Sequence, residues 1–166
     1  MGDYNLDNIL LAIAIGEHFG MDIQTIKAGI QAYEPDNNRS QLIEQNTNTI
    51  LLDAYNANPS SMQVAISNFS YMPQEQKVLI LGDMLEMGEN ANQEHLELLE
   101  WSLSQGFEQI YLKGTHFASI SEKVNLKTYP NMEELGEAIK DQQFSNAAFL
   151  VKGSRGMKME EVLDYL

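Results

Sequence analysis

Four apolar runs recur along this chain, at residues 50–52, 78–81, 110–112 and 147–151, with a helical periodicity after each of the first three. The helical stretches carry Met62, Ala65, Ile66 and Phe69, then Leu96, Leu99 and Leu103, then Met132, Leu135 and Ile139. A strand that is apolar at every position has no face for water and must be covered on both sides. Strands of this kind, joined by helices, run mostly parallel. The pattern therefore predicts an α/β fold, a Rossmann-like mostly parallel sheet with helices on both faces. Weaker strands are expected near Leu42 and Leu126, and a final helix carrying Met159, Val162, Leu163 and Leu166.

The opening of the chain reads differently. Ile9, Ala12, Ile13 and Gly16 follow helical spacing, and Asp22 is placed to cap a second helix with Ile23, Ile26 and Ile30. Glu34, Pro35, Asp36, Asn37 and Asn38 have turn chemistry. Two short helices cannot form a core unaided. The expected organisation is a helical segment over residues 1–38 ahead of a domain over 39–166.

Composition narrows the function classes. Ten Lys and Arg against 24 Asp and Glu give a formal charge of −14, which repels phosphate backbones and anionic lipid. No nucleic-acid or membrane partner is expected, and a polyanionic ligand would need local cations or helix amino ends. The absence of cysteine excludes disulfides and thiolate chemistry. The apolar run at 9–15 is too short to cross a bilayer and lacks signal-peptide flanks, so a cytoplasmic location is the default expectation.

In such a sheet, ligands bind beyond the carboxyl ends of the strands. The first predicted strand is followed by Asp53, Tyr55, Asn56, Asn58, Pro59 and Ser60, where Asn58 or Ser60 can cap the next helix. Asp53 is more telling, because a carboxylate ending a buried strand requires a partner. The second strand leads into Gly82, Asp83, Glu86 and Gly88, whose spacing matches neither a dinucleotide fingerprint nor a phosphate loop. The last strand leads into Lys152, Gly153, Ser154, Arg155, Gly156 and Lys158, a basic cluster in an acidic chain that suits a carboxylate or phosphate. His18, His95 and His116 have no metal-site spacing. His95 can reach the loop after the second strand, yet a surface or interface role is the simpler expectation. No nucleophile elbow occurs.

Taken together, these loops resemble the Mur ligase family, and within it the branch that adds D-alanyl-D-alanine. The resemblance rests on five segments in order. They are Tyr4, Asn5 and Asn8 with Ala12 and Ala14; Arg39-Ser40-Gln41; Asp53 to Met62; Gly82 to Gly88 with His95; and Lys152 to Met157. It runs the whole length of the chain. It implies an ATP-dependent amide ligase of which this chain would be the tail of the central ATPase domain and the whole carboxy-terminal domain. The implied reaction joins D-alanyl-D-alanine to UDP-N-acetylmuramoyl-tripeptide through an acyl phosphate, in peptidoglycan precursor synthesis. The implied partners are these two substrates and the enzyme's remaining domains. On the family pattern, Asn5 and Asn8 lie at adenine, Asp53 holds the ribose hydroxyls, and Arg39 approaches the phosphates as domains close. Tyr55, Asn56, Asn58, Asp83, Glu86, Lys152, Ser154 and Arg155 face the peptide substrates.

Tyr4 stands where the family commonly has His, and Ala54 where many relatives have Ser. The chain holds no G-x-x-x-x-G-K-[ST] loop and none of the family's magnesium ligands, so ATP and Mg2+ belong to the full-length enzyme and this chain alone is expected to be inactive. Another Mur ligase or a folylpolyglutamate synthetase is the near alternative. A phospho-receiver, with Asp53 and Lys152 as its acid and lysine, is the distant one. It would need an acidic pair after its first strand, where this chain offers only Glu44.

Overall fold

A computed structural model describes residues 6–33 and 37–166. Two compact units divide it, Met1–Pro35 and Asp36–Leu166. The first holds α1 (Leu6–His18) and α2 (Ile23–Gln31). Asp22 caps α2 by accepting from the amides of Gln24 and Thr25, both at 3.0 Å, and from the Thr25 hydroxyl at 2.6 Å. The two helices meet where Gly16 faces Ile26, and a Cβ on Gly16 would stand 2.8 Å from the Ile26 side chain. Leu6, Leu10, Leu11, Ile15 and Ile23 remain exposed, so this pair encloses almost no core of its own, as the sequence implied.

The second unit is built on a six-stranded sheet in the order β1-β2-β6-β3-β4-β5. Its strands are β1 (Gln41–Gln45), β2 (Asn48–Asp53), β3 (Lys77–Gly82), β4 (Gln109–Lys113), β5 (Thr128–Tyr129) and β6 (Ala148–Lys152). Only β1 is antiparallel, folding back on β2 with Gln41 opposite Leu52. The other pairings are parallel.

Alternate side chains of each central strand enter two separate cores. Leu79, Leu81, Ala148 and Leu150 pack beneath α3 (Pro59–Ser70), α4 (Ala91–Ser104) and α5 (Thr115–Ile120), through Met62, Ile66, Phe69, Leu98, Leu99, Phe117 and Ile120. Val78, Ile80, Phe149 and Val151 pack on the opposite face against Met132, Leu135 and Ile139 of α6 (Met132–Lys140), and against Met159 and Val162. This double covering is the reason those strands are apolar at every position. The expected closing helix differs in kind: residues Met159–Tyr165 form a 3-10 helix, entered from Lys158 in a left-handed conformation at φ 50°. Among the described residues, no helix is long and apolar enough to cross a membrane.

Candidate functional site

Because β2, β6, β3 and β4 are parallel, their carboxyl ends share one edge. The register sets Asp53 beside Lys152, Lys152 beside Leu81, and Gly82 beside Lys113. Residues 54–58, 83–87 and 153–158 leave from this row, so loops far apart in sequence converge as the strand pattern predicted. The reversed direction of β1 brings Arg39 and Ser40, which lead into it, to the same edge.

Lys152 lies beneath the rim. Its side chain is 2% exposed, and its ammonium donates to Asp53 Oδ2 at 2.5 Å, to the Asn56 carbonyl at 3.2 Å and to the Asp53 carbonyl at 3.5 Å. Asp53 is 20% exposed, and its Oδ1 accepts the Ser40 amide at 3.2 Å. A buried ammonium is tolerable only with such pairing. The partner that Asp53 required is therefore internal, and Lys152, expected at the peptide from the family resemblance, is buried beneath the rim with its ammonium turned to Asp53 and Asn56. Beside them the Arg39 guanidinium lies 3.8 Å over the centroid of the Tyr55 ring, a cation–π contact that docks the entering segment on the β2 loop.

The loop after β3 is organised from within. Asp83 is 1% exposed, and its two oxygens accept from the amides of His116 at 2.9 Å and Phe117 at 3.0 Å. These amides open α5, whose N-cap position is Gly114 and so has no side chain to cap with. Asp83 takes that role from another loop. A Cβ on Gly114 would fall 2.2 Å from the Asp83 carboxyl carbon, and its φ of +134° also favours glycine.

His95, expected at the surface or an interface, is wholly buried within the domain. Its Nδ1 faces the Ala91 carbonyl at 2.6 Å, while Nε2 accepts the Met84 amide at 2.9 Å. Those two contacts require the neutral ring with its proton on Nδ1. Burial pushes the His95 pKa down, opposed by the Ala91 carbonyl and Asp83, and aided by His116. The reach from His95 to the loop after the second strand, which the sequence allowed, is realised in its bond with the Met84 amide.

Ser154, expected at the peptide, is also buried, and it ties two loops together. Its hydroxyl accepts the Leu85 amide at 2.8 Å, and its own amide donates to the Asp83 carbonyl at 3.1 Å. Lys113, which sequence reading passed over, adds a strut by donating to the Met157 carbonyl at 2.9 Å. Its position at the end of an apolar run, matching Asp53 and Lys152, was the available signal.

The remaining expected residues are solvent-facing: Tyr55, Asn56, Asn58, Glu86 and Arg155. Asn58 caps α3 in a capping box with Ser61, accepting its amide at 2.8 Å, so the capping reading of this residue holds. Asn56 accepts the Ala57 amide, and Arg155 pairs with Glu160 at 3.3 Å. Glu86 is held at φ 63° at the tip of its loop. In the other unit Asn8 is exposed on α1, and Asn5 lies outside the described residues. Among the described residues, no group of three His, Asp or Glu could hold a metal ion. What the edge presents to solvent is a partly exposed carboxylate, Asp53, with the exposed Arg39 guanidinium over Tyr55.

Comparison with known proteins adds a lineage to this geometry. The profile of the family "Mur ligase, glutamate ligase domain" matches residues 38–155. The UDP-N-acetylmuramoyl-tripeptide--D-alanyl-D-alanine ligase of Rickettsia prowazekii is 32% identical over 165 residues, covering 97% of this chain and 36% of its own length. The ligase of the same name from Bacillus subtilis is 31% identical over 172 residues, covering 98% and 38%. This chain thus spans 36–38% of the length of those relatives. Among solved structures, MurF from Acinetobacter baumannii superposes with a TM-score of 0.89 at 27% identity, over 98% of this chain and 37% of that one. Folylpolyglutamate synthase from Thermotoga maritima shares the fold alone, with a TM-score of 0.68 at 17% identity over 99% of this chain and 39% of that one.

Proposed function

Because this chain belongs to the Mur ligase, glutamate ligase domain family, we propose that it serves as the carboxy-terminal part of an ATP-dependent ligase that joins D-alanyl-D-alanine to UDP-N-acetylmuramoyl-tripeptide. The reading draws on relatives of that name. The chemistry needs ATP because a carboxylate is a poor electrophile. Transfer of the γ-phosphoryl group to the tripeptide carboxylate releases ADP and gives an acyl phosphate. The dipeptide amine then attacks the acyl carbon, phosphate leaves with the electrons of the cleaved C–O bond, and the amine proton passes to solvent. The same reading places the protein in the cytoplasm, with ATP, the tripeptide nucleotide and the dipeptide as ligands and the enzyme's other domains as partners.

The observation that carries the reading is the Asp53 cluster. Its carboxylate is held on one side by Ser40 and on the other by Lys152, beside an arginine resting on Tyr55. A fixed, partly exposed carboxylate suits a ribose diol, and a guanidinium suits phosphate oxygens. Asn5 and Asn8 are proposed at adenine and Arg39 at the phosphates. Tyr55, Asn56, Asn58, Glu86 and Arg155 are proposed at the peptide rim. Asp83 and Ser154 serve that rim by fixing the loop that carries Glu86. The magnesium ion that the family implies finds no ligand cluster among the described residues.

Asp53→Ala in the complete ligase tests the assignment. Losing charge-assisted hydrogen bonds to the ribose costs about 1.5–3 kcal/mol, which is roughly a 10- to 100-fold rise in the Kd for ATP. Unchanged ATP affinity, measured by titration of the folded variant, refutes the ribose assignment.

A further inference from the structure

We propose that Lys152 is a positioning residue for nucleotide recognition: buried under the edge, it fixes the Asp53 carboxylate so that its unused lone pairs face a vicinal diol. The inference rests on the ribose reading of Asp53 given above. Lys152 cannot meet a ligand itself, because its side chain is 2% exposed and its ammonium has three acceptors around it. An ammonium has three N–H donors. Here they reach both ends of one turn, the Asp53 side chain and backbone at its start and the Asn56 carbonyl three residues on. The side chain thereby sets the carboxylate and the path of the loop behind it together.

The register explains why lysine suits this position. Lys152 and Asp53 are direct partners on adjacent parallel strands, so their side chains leave the sheet on the same face. A carboxylate has about four lone-pair directions. Lys152 engages Oδ2 and the Ser40 amide engages Oδ1. With one such bond on each oxygen, the carboxylate is still 20% exposed, and a diol supplies two hydroxyl donors. A neutral or shorter residue at 152 would leave Asp53 free to rotate and the turn unpinned, without removing any group that touches the ligand.

The test compares ATP with 2′,3′-dideoxy-ATP in the complete ligase, reading KM and kcat for each. In the wild type, the ratio of the two KM values should be roughly 10- to 100-fold, the worth of the charge-assisted bonds. Asp53→Ala should bring the ratio near unity. Lys152→Met should lower the ratio at least about threefold by raising KM for ATP alone, with KM for the dideoxy nucleotide little changed. A merely structural role for Lys152 would move both nucleotides together and leave the ratio intact. If Lys152→Met does not fold, Lys152→Gln is read by the same ratio, since one neutral donor cannot make all three bonds. A wild-type ratio in a folded Lys152 variant overturns the positioning role while Asp53→Ala still collapses it. A ratio that survives Asp53→Ala overturns the ribose reading and this inference with it.

Discussion

Replacing Asp83 with alanine isolates the contact that binds the β3 loop to α5. The substitution removes both acceptors of the His116 and Phe117 amides, at 2.9 and 3.0 Å, at a site 1% exposed. A buried donor left without its partner costs about 1–3 kcal/mol, and the loss of an N-cap alone about 0.5–2 kcal/mol. Two amides lose their partner here. The penalty is offset in part because a buried carboxylate no longer has to be desolvated, and because water can enter the space it leaves. A net loss of about 2–4 kcal/mol follows. In a domain of this size, that lowers the thermal midpoint by roughly 10 °C. Urea unfolding followed by circular dichroism should show the midpoint falling with an unchanged m value. Asp83→Asn, which keeps one acceptor but turns an amide N–H2 toward the second donor, should fall between the two. A destabilisation below about 0.5 kcal/mol for Asp83→Ala would refute the capping argument.

Two further substitutions probe the same corner. Gly114→Ala places a methyl group where the Asp83 carboxylate stands, at a φ of +134°. It should cost at least about 2 kcal/mol in the same urea titration, combining strain with a clash, and a stability equal to wild type would show that the two loops can part without penalty. His95 sets a pH dependence. Its folded pKa is depressed by burial while the unfolded value is about 6.5, so below that pH the unfolded chain binds the additional proton. Its contribution is therefore complete above about pH 6.5 and is lost as pH falls toward the depressed folded value. The groups facing the ring are Asp83, His116, Glu94 and the Ala91 carbonyl. Comparing wild type with His95→Asn between about pH 5 and 7.5 should show the steeper loss in wild type, and parallel curves would contradict the assignment of a neutral ring.

The central sheet was legible because burial on both faces leaves a run with no polar residue, as in Val78 to Leu81 and Ala148 to Val151. β1 and β5 were faint for the opposite reason: they lie at the two ends of the sheet, and β1 alternates half-buried and exposed residues. Asp22 and Asn58 were readable as caps because a cap is local, decided within three residues. The partnerships that make the edge rigid are not local. Lys152 and Asp53 are 99 positions apart, and Asp83 meets α5 from 33 and 34 positions away. Sequence spacing carries nothing about which strands become neighbours, so it does not register that Asp83, Lys152 and Ser154 are buried and bonded to other loops. The closing turn shows a related limit. Its apolar spacing indicates a helix, and Met159 and Val162 are buried, but the tighter 3-10 winding begins from a left-handed Lys158 that periodicity does not register.

One reversed strand decides where the polypeptide comes in. Had β1 run with its neighbours, Arg39 and Ser40 would sit at the far end of the sheet, about 17 Å away by the rise of a five-residue strand. Running backward, the hairpin puts its tight turn on the remote side and its threshold beside Asp53. The incoming backbone is thus part of the wall it arrives at, hydrogen-bonded to the carboxylate through Ser40. The group proposed to grip the nucleotide is thus tied to the chain's own point of entry.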